Sequence, residues 1–290
     1  MSRLAEIALL CGLLLGANPL LAAVSVIDDA GRNVTLARPA SRIVSLAPHA
    51  TELLFAAGAG ARVVGAVSYR DFPAAAARLP QVGDARALDL ERIVALRPDL
   101  VVAWLTGNSR QQVDHLTASG IPVFFSNPRV AEDVATNLAR LGELAGTRAT
   151  GRAAAARFGD ALQQLASRYR GARLVSLFYE IWHTPPMTLN GRHFVSDILA
   201  RCGARNVFAD IPALTPTVSL EAVIAAAPEV IATGAGGEAL SFWRGRIEIP
   251  AARNGHLCEA DATRMHRAGP RLVEAAAQLC GCIDRARHGP

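Results

Sequence analysis

An internal repeat constrains the fold of this chain more than any other feature of its sequence. Residues 89–104 read DLERIVALRPDLVVAW, residues 218–233 read VSLEAVIAAAPEVIAT, and the two segments align without a gap. In each copy a short helical pattern ends before a proline, because proline lacks the N–H that a helix needs. An apolar run follows, which is typical of a buried strand in a parallel sheet. The repeat therefore predicts two similar α/β lobes with a cleft between them.

The repeat also places one carboxylate in each lobe. Glu91 and Glu221 occupy the same position of the two copies, in the first turn of each predicted helix. A carboxylate there interacts favourably with the helix dipole, by about 0.3–1 kcal/mol. From the spacing alone, this stabilising role is the simpler interpretation of both residues.

The remaining patterns predict an α/β fold with a parallel-type central sheet in each lobe. After a hairpin pattern at residues 24–36, strand and helix patterns alternate as far as residue 127, an order that favours parallel strands with flanking helices. A second series begins with the strand pattern at residues 173–182. We therefore assign residues 24–146 to the N-terminal lobe and residues 171–290 to the C-terminal lobe.

A single long helix is predicted to join the two lobes. Phe158, Leu162, Leu165 and Tyr169 recur at steps of four, three and four residues, which is one apolar face of a continuous helix. This pattern lies between the copies of the repeat, so we assign residues 147–170 to the connection. Because such a helix is rigid, we expect little rotation of one lobe against the other.

The composition excludes several kinds of function. The chain has 290 residues, 51% of them hydrophobic, which is enough for two domains of ordinary size. All 30 basic residues are arginine, so enzymes that need a P-loop, Schiff-base or kinase lysine are excluded. The net charge is +5, but the arginines are scattered and form no basic stripe, so no nucleic-acid partner is predicted.

The first 23 residues have the pattern of a secretory signal. An apolar core extends from residue 7 to about residue 21, and Ala22 and Ala23 provide small residues for cleavage. Pro19 interrupts the run, which is short for a membrane span. We predict export with cleavage of residues 1–23, and a retained anchor is the alternative.

Export changes the interpretation of the cysteines. Once Cys11 is removed with the signal, four cysteines remain, namely Cys202, Cys258, Cys280 and Cys282. In an oxidising compartment we expect one or two disulfides, with three full pairings open, and buried free thiols are the alternative. A single residue separates Cys280 from Cys282, which is not the usual spacing of zinc ligands, so no metal site is predicted.

Aromatic residues make up only 5% of the chain, yet four of them lie at predicted strand ends. Tyr69 and Trp104 end strands of the N-terminal lobe, and Tyr179 and Trp182 end a strand of the C-terminal lobe. Ligands of open α/β sheets bind beyond the carboxyl ends of the strands. Each aromatic residue alone is compatible with packing, but the group predicts a ligand site in the cleft.

Four segments carry a resemblance to a known family. They are RIVSLAPHATELLFAAGAG, VVGAVSYRDFP, GDARALDLERIVALRPDLVVAWLTGN and RAGPR, and the resemblance extends over residues 42–283. The segments resemble the periplasmic binding proteins of ABC importers for iron–siderophores, haem and cobalamin, and most of all the cobalamin-binding members. This resemblance implies two lobes joined by a rigid helix, a ligand in the cleft, and a non-enzymatic carrier without a resident cofactor.

The resemblance also implies a set of ligand-binding residues. Tyr69 matches a tyrosine that contacts the corrin, Trp104 matches a tryptophan of the cleft, and residues 263–267 match a ligand-contacting loop. The full predicted set is Tyr69, Arg86, Trp104, Trp182, Thr263, Arg264, Met265, His266 and Arg267. Two positions depart from the family pattern, since Arg86 stands where the family has tryptophan and Thr263 where it has aspartate.

Residues outside the cleft match as well. Glu91 and Glu221 match two surface glutamates that dock on arginines of the permease, which makes docking the preferred interpretation over the helix dipole. Cys202 and Cys280 match a disulfide pair of the family. The implied protein is a periplasmic monomer whose partners are a corrinoid and the permease dimer of an ABC transporter in the inner membrane.

Cobalamin carriage is the leading hypothesis, with haem or a ferric siderophore as the alternative ligand. The candidate walls for a large amphipathic corrinoid are Tyr69, Trp104, Trp182 and Met265, with Arg267 as a donor. Candidate axial ligands for haem are Tyr69, Tyr179, His183 and His266. The candidate arginine cluster for a siderophore is Arg86, Arg264 and Arg267.

A dinucleotide-binding enzyme is the remaining alternative. Gly234, Gly236 and Ala239 fit the pattern G-x-G-x-x-A after a predicted strand. A turn from strand to helix is the simpler explanation of these glycines, because the pattern is weak alone and export is atypical of dinucleotide enzymes. No G-x-S-x-G or H-E-x-x-H motif marks a catalytic centre, so no enzymatic activity is predicted.

Overall fold

The computed structural model describes residues 23–288 of the chain. The predicted signal at residues 1–23 therefore lies outside the described residues, apart from Ala23. The described part opens with the predicted hairpin, an antiparallel pair formed by β1 (Val24–Ile27) and β2 (Asn33–Leu36). Within this part of the chain, no helix is long and apolar enough to cross a bilayer.

The first of two parallel sheets forms the centre of the N-terminal lobe. Its strands are β3 (Ile43–Ser45), β4 (Val63–Ala66), β5 (Leu100–Trp104) and β6 (Val123–Ser126). The α-helices between them are α1 (Pro48–Ala56), α2 (Leu90–Ala95) and α3 (Arg110–Ala118). The strand order is β4-β3-β5-β6, and all pairs are parallel.

Two helices follow the first sheet, α4 (Glu132–Leu144) and α5 (Arg148–Arg168). Helix α5 lies within the segment predicted as the connection, and its buried residues include Phe158, Leu162 and Leu165 of the predicted apolar face. Glycines let the two helices touch, because a Cβ on Gly142 of α4 would lie 2.9 Å from the Cα of Gly151 of α5. The glycines that interrupt the helical pattern therefore mark a close helix–helix contact.

The second parallel sheet forms the centre of the C-terminal lobe. Its strands are β7 (Val175–Glu180), β8 (Ala204–Asn206), β9 (Val230–Thr233) and β10 (Leu257–Glu259). The helices are α6 (Phe194–Arg201), α7 (Leu220–Ala226), α8 (Gly237–Arg244), α9 (Pro250–Arg253), α10 (Ala262–Met265) and α11 (Leu272–His288). The strand order is β10-β9-β7-β8, again with parallel pairs.

The two sheets have the same topology. Across each sheet the strands follow the order second, first, third, fourth along the chain, and the repeat supplies the third strand, β5 in one lobe and β9 in the other. Each repeat strand pairs with the first strand of its own sheet. The prediction of two similar α/β lobes with parallel sheets is confirmed.

The repeat also fixes how its two helices begin and end. Asp89 caps α2 by accepting the N–H of Arg92, and Ser219 caps α7 by accepting the N–H of Ala222. Beyond each helix, the residue before the proline adopts a left-handed conformation, with φ 47° at Arg97 and 45° at Ala227. A side chain with a Cβ is strained there.

Two disulfides cross-link the C-terminal lobe, Cys202–Cys280 and Cys258–Cys282. The first joins the end of α6 to α11 and is the pair that the family resemblance implies. The second joins β10 to the same helix. The structure therefore pairs all four cysteines that lie within residues 23–288.

Candidate ligand-binding cleft

Side chains of both lobes line one cavity of about 440 Å³. Trp104 and Arg129 contribute from the N-terminal lobe, and Arg192, His193 and Leu214 contribute from the C-terminal lobe. Trp104 is the last residue of β5, so the cavity lies beyond the carboxyl end of a parallel strand, where ligands of open α/β sheets bind. We call it the interlobe cavity.

A second cavity, of about 390 Å³, is lined by the C-terminal lobe alone. Trp182 and His183 reach it from the segment after β7, and Gly234 reaches it from the end of β9. Glu238 and His266 are also part of its lining. We call it the C-lobe cavity. It too lies at strand carboxyl ends. Of these two cavities, the interlobe cavity is the one lined by both lobes, as the predicted cleft requires.

Three of the predicted aromatic contacts are available to a ligand. Trp182 is 60% exposed, and its indole N–H donates to the carbonyl of Thr184 at 2.9 Å. Tyr69 is 76% exposed and lies beyond the end of β4 in a left-handed conformation, with φ 60°. Trp104 is half-buried and packs edge-to-face with His49, with 5.5 Å between the ring centres.

Tyr179 differs from these three because it is fully buried within β7. Its hydroxyl lies 3.1 Å from Nε2 of His266, and burial raises its pKa above the usual value. The prediction that Tyr179 faces the cleft from a strand end is therefore wrong. Both faces of β7 are covered at this point of the strand, since Phe178 and Tyr179 are both fully buried.

One buried histidine and two half-buried ones lie near these cavities. They are His49 at the start of α1, His193 before α6 and His266 after α10. Burial lowers the pKa of each ring to about 4. The charge of Arg267 adds to this effect at His49, and the charge of His266 adds to it at His193. The three rings are therefore neutral at pH 7.

An ion cluster joins the two lobes. Glu52 on α1 is 2% exposed, and it accepts hydrogen bonds from Arg267 at 3.2 Å and from Arg271 at 2.6 Å. Arg267 also binds Asp71 at 2.5 Å. The guanidinium of Arg271 lies 4.2 Å from the ring centre of Phe72. These contacts link residues of the N-terminal lobe to the loop between α10 and α11.

The same contacts change the interpretation of the predicted ligand loop. Arg267 is held by two carboxylates, so it is not a free donor for a ligand. Asp261 accepts from Arg264 at 2.7 Å and from the hydroxyl of the exposed Thr263 at 2.6 Å. Met265 is completely buried in the core, so the prediction that it forms a cleft wall is wrong. Its place on the short helix α10 points it inward.

Arg86 lies exposed in the loop before α2, where its backbone N–H donates to Asp84. The siderophore hypothesis needs Arg86, Arg264 and Arg267 as a cluster of free cations. Two of the three are already paired with carboxylates of the described chain. The expected anion-binding cluster is therefore not formed.

Sequence patterns missed His49, His193 and Glu180. The sequence positions of two of these residues could have indicated the site. His49 closely follows β3, and Glu180 is the last residue of β7. Ligands of open α/β sheets bind beyond such strand ends. For His193 the sequence contains no such signal. In the structure its side chain caps α6 by accepting the N–H of Val195, which is an ordinary structural role. Only the packing of the lobes brings it to the interlobe cavity.

The two repeat glutamates lie away from these cavities. Glu91 and Glu221 occupy equivalent first-turn positions of α2 and α7, and both are exposed. Asp89 and Ser219 already cap the two helices. Neither glutamate has a salt-bridge partner among residues 23–288.

Comparison with known proteins identifies the family. The family model described as periplasmic binding protein matches residues 43–263. A vitamin B12-binding protein of Vibrio parahaemolyticus is 35% identical over 254 residues, which cover 86% of this chain and 92% of that protein. The crystal structure of the periplasmic vitamin B12-binding protein BtuF of Vibrio cholerae matches with a TM-score of 0.81 at 33% identity, covering 86% of this chain and 98% of that one.

A haem-binding protein has the same architecture. The periplasmic haem-binding protein BhuT, in complex with two haems, matches with a TM-score of 0.76 at 27% identity, covering 85% of this chain and 98% of that one. The family model covers the parallel sheets of both lobes, and these relatives match 85–86% of the chain. The chain belongs to the periplasmic binding protein family.

Proposed function

We propose that this protein binds a corrinoid such as cobalamin in its cleft and delivers it to the permease of an ABC importer. Its family consists of non-enzymatic substrate-binding proteins, so the corrinoid is cargo and not a cofactor. The observation that carries the proposal is that each lobe presents an accessible tryptophan, with Trp104 in the interlobe cavity and Trp182 in the C-lobe cavity. The exposed Tyr69 beyond the end of β4 offers a third aromatic face. Relatives named as vitamin B12-binding proteins, at 33% and 35% identity, support the same ligand.

The chemistry of the two cavities suits a large amphipathic macrocycle. A corrin ring presents a broad apolar face, which flat aromatic side chains cover well, and rim amides that need a few polar partners. Arg129 and Arg192 supply polar groups beside Trp104 in the interlobe cavity. The C-lobe cavity adds a second aromatic wall through Trp182.

Haem is the second candidate ligand, because BhuT has the same fold at 27% identity. Of the four predicted axial ligands, Tyr179 is unsuitable, since its hydroxyl is buried against His266. Tyr69 and His183 keep accessible side chains. The dinucleotide hypothesis has no comparable support, because Gly236 with φ 90° is simply the residue that precedes α8 in a strand-to-helix turn.

Titration of purified protein with hydroxocobalamin and, separately, with haemin tests the proposal. We expect cobalamin to quench tryptophan emission along a saturable curve at micromolar concentration. Trp104→Ala and Trp182→Ala should each weaken binding by about tenfold or more, the usual effect of removing a central aromatic contact. Leu174→Ala, an exposed apolar residue before the amino end of β7, should bind like the unmodified protein.

Two outcomes would contradict the corrinoid assignment. If haemin saturates the site and cobalamin gives no response, the ligand is haem and not a corrinoid. Equal cobalamin affinity in both tryptophan variants and in Leu174→Ala would show that the aromatic faces do not form the site.

A further inference from the structure

A buried carboxylate holds one histidine at the C-lobe cavity. Glu180, the last residue of β7, is fully buried. One of its oxygens accepts Nδ1–H of His183 at 2.9 Å, and the other accepts the indole N–H of Trp243 at 3.0 Å. The two donors fix the orientation of the carboxylate, and the carboxylate in turn fixes the orientation of the imidazole ring.

This contact determines which ring nitrogen of His183 is free. Because a carboxylate accepts hydrogen bonds, Nδ1 carries the hydrogen, and Nε2 of the neutral ring keeps its lone pair. No residue within 23–288 hydrogen-bonds Nε2. The side chain is 20% exposed and lines the C-lobe cavity. Phe242 also packs edge-to-face against the ring, with 4.9 Å between ring centres, and limits its movement.

The arrangement matches the environment of a metal-binding histidine. Such histidines donate the second ring N–H to a carboxylate or carbonyl, which sets the tautomer and strengthens the ligand. The part of the chain that the structure describes holds no group of three or more His, Cys, Asp or Glu placed to bind a bare ion. A metal inside a tetrapyrrole brings its own equatorial ligands and needs only one nitrogen from the protein.

We propose that Nε2 of His183 is an axial ligand for the metal of a tetrapyrrole bound at the C-lobe cavity. The inference rests on the proposed function and narrows its substrate class to corrinoids with an open axial position, such as cobinamide or cobalamin whose own base has dissociated. The step is a ligand exchange. Nε2 donates its lone pair to cobalt, the water at that position leaves, and no electron is transferred.

The competing explanation is that His183 only satisfies the buried Glu180. His183→Gln separates the two roles, because its side-chain amide can still donate to the carboxylate while the imidazole is lost. His115→Ala is the matched control, since His115 is exposed on α3. Cobinamide is the suitable probe, because it carries no nucleotide base that could supply an axial nitrogen.

Electron paramagnetic resonance of bound cob(II)inamide is the decisive measurement. We expect the three-line splitting of one axial 14N, which becomes two lines when the histidines are labelled with 15N. The splitting should disappear in His183→Gln and persist in His115→Ala. Affinity for cobinamide should fall by about tenfold or more in His183→Gln.

The outcomes separate this inference from the proposed function. Bound cobinamide without nitrogen splitting, or with splitting that survives in His183→Gln, overturns the axial assignment and leaves corrinoid binding intact. Failure of the unmodified protein to bind cobinamide or cobalamin overturns the proposed function. In that case a haemin titration tests His183 as an axial ligand. A Soret spectrum that changes in His183→Gln would support His183 as the axial ligand of haem. Failure of the protein to bind haemin would rule out the axial role.

Discussion

Glu52 is a buried residue that links the N-terminal lobe to the C-terminal lobe. It is 2% exposed and accepts from Arg267 and Arg271, which are themselves mostly buried. Removing one member of a buried ion cluster leaves the others uncompensated, which costs roughly 3 kcal/mol or more. We therefore expect Glu52→Gln to lower the free energy of unfolding by about that amount, measured by urea denaturation.

Asp71→Asn provides the control for this prediction. Asp71 contacts the same Arg267, but its side chain is 54% exposed. Exposed ion pairs contribute about 1 kcal/mol or less. Similar losses in the two variants would show that the burial of Glu52 does not determine the strength of the contact.

The three histidines near the cavities predict a decrease of stability in mild acid. Burial lowers the pKa of His49, His193 and His266 to about 4, whereas the ordinary value is 6.5. Between these values the unfolded chain binds more protons than the folded one. Their contribution is therefore complete above pH 6.5 and is lost as the pH falls towards 4, by up to about 1.4 kcal/mol per pH unit for each histidine.

Urea denaturation at several pH values from 7.5 to 4.5 measures this decrease. His193→Gln should reduce the slope, since one of the three groups is removed. His115→Gln, on the exposed face of α3, should leave it unchanged. A free energy of unfolding that stays constant down to pH 4.5 would contradict the low pKa values.

At the scale of the helix and strand, a residue in the left-handed conformation precedes each repeat proline. Glycine substitution should therefore change the free energy of unfolding in opposite directions at Ala227 and at Ala225. Ala227 has φ 45° beyond the end of α7, a conformation that glycine adopts without strain. Ala227→Gly should therefore raise the free energy of unfolding by about 0.5–1 kcal/mol. Ala225→Gly, an exposed site inside α7, should lower it by about 1 kcal/mol.

Thermal or urea denaturation of the two variants checks the pair. Destabilisation by both substitutions would show that the strain at Ala227 is smaller than the entropy that glycine adds to the unfolded chain. Arg97→Gly tests the first copy of the repeat, because Arg97 has φ 47° at the equivalent position.

The sequence predicted the elements whose pattern is long enough to be periodic. Helix α5 was identified from its apolar face, and proline marked the end of both repeat helices. The two repeat strands were identified from the continuous apolar runs that follow each proline. Strands β8 and β10 were not predicted, because the three-residue runs ARN and LCE show neither alternation nor a continuous apolar stretch. Helix α8 follows the glycines that were interpreted as a turn from strand to helix, and it begins directly after Gly236.

The sequence could predict a site residue whose place follows from the end of a strand. It could not predict a residue whose role depends on tertiary contacts. Trp104 could be placed because a strand ends there. The role of Arg267 could not, because its partner Glu52 lies 215 residues away. Burial of Met265 and the lowered pKa of the histidines also depend on how the lobes pack.

At the scale of the whole molecule, the two lobes share one topology, and each presents the same acidic group. Glu91 and Glu221 are exposed in equivalent turns, and other residues cap their helices. We propose that they dock on the two halves of a dimeric permease, because a pseudo-symmetric pair of charges suits a two-fold partner. Ion pairs at the rim of an interface mainly set orientation and association rate, and salt weakens them.

The double variant Glu91→Ala/Glu221→Ala tests this docking role. We expect slower association with the transporter and reduced uptake, a weaker dependence of association on salt, and unchanged ligand affinity. Asp160→Ala/Glu248→Ala is the charge-matched control, since both residues are exposed acids elsewhere on the chain. A helix-dipole role predicts the opposite, with normal uptake and a loss of up to about 1 kcal/mol of stability per site. That result would return both glutamates to a structural role, because the same substitutions cannot spare transport if the two carboxylates orient the docked complex.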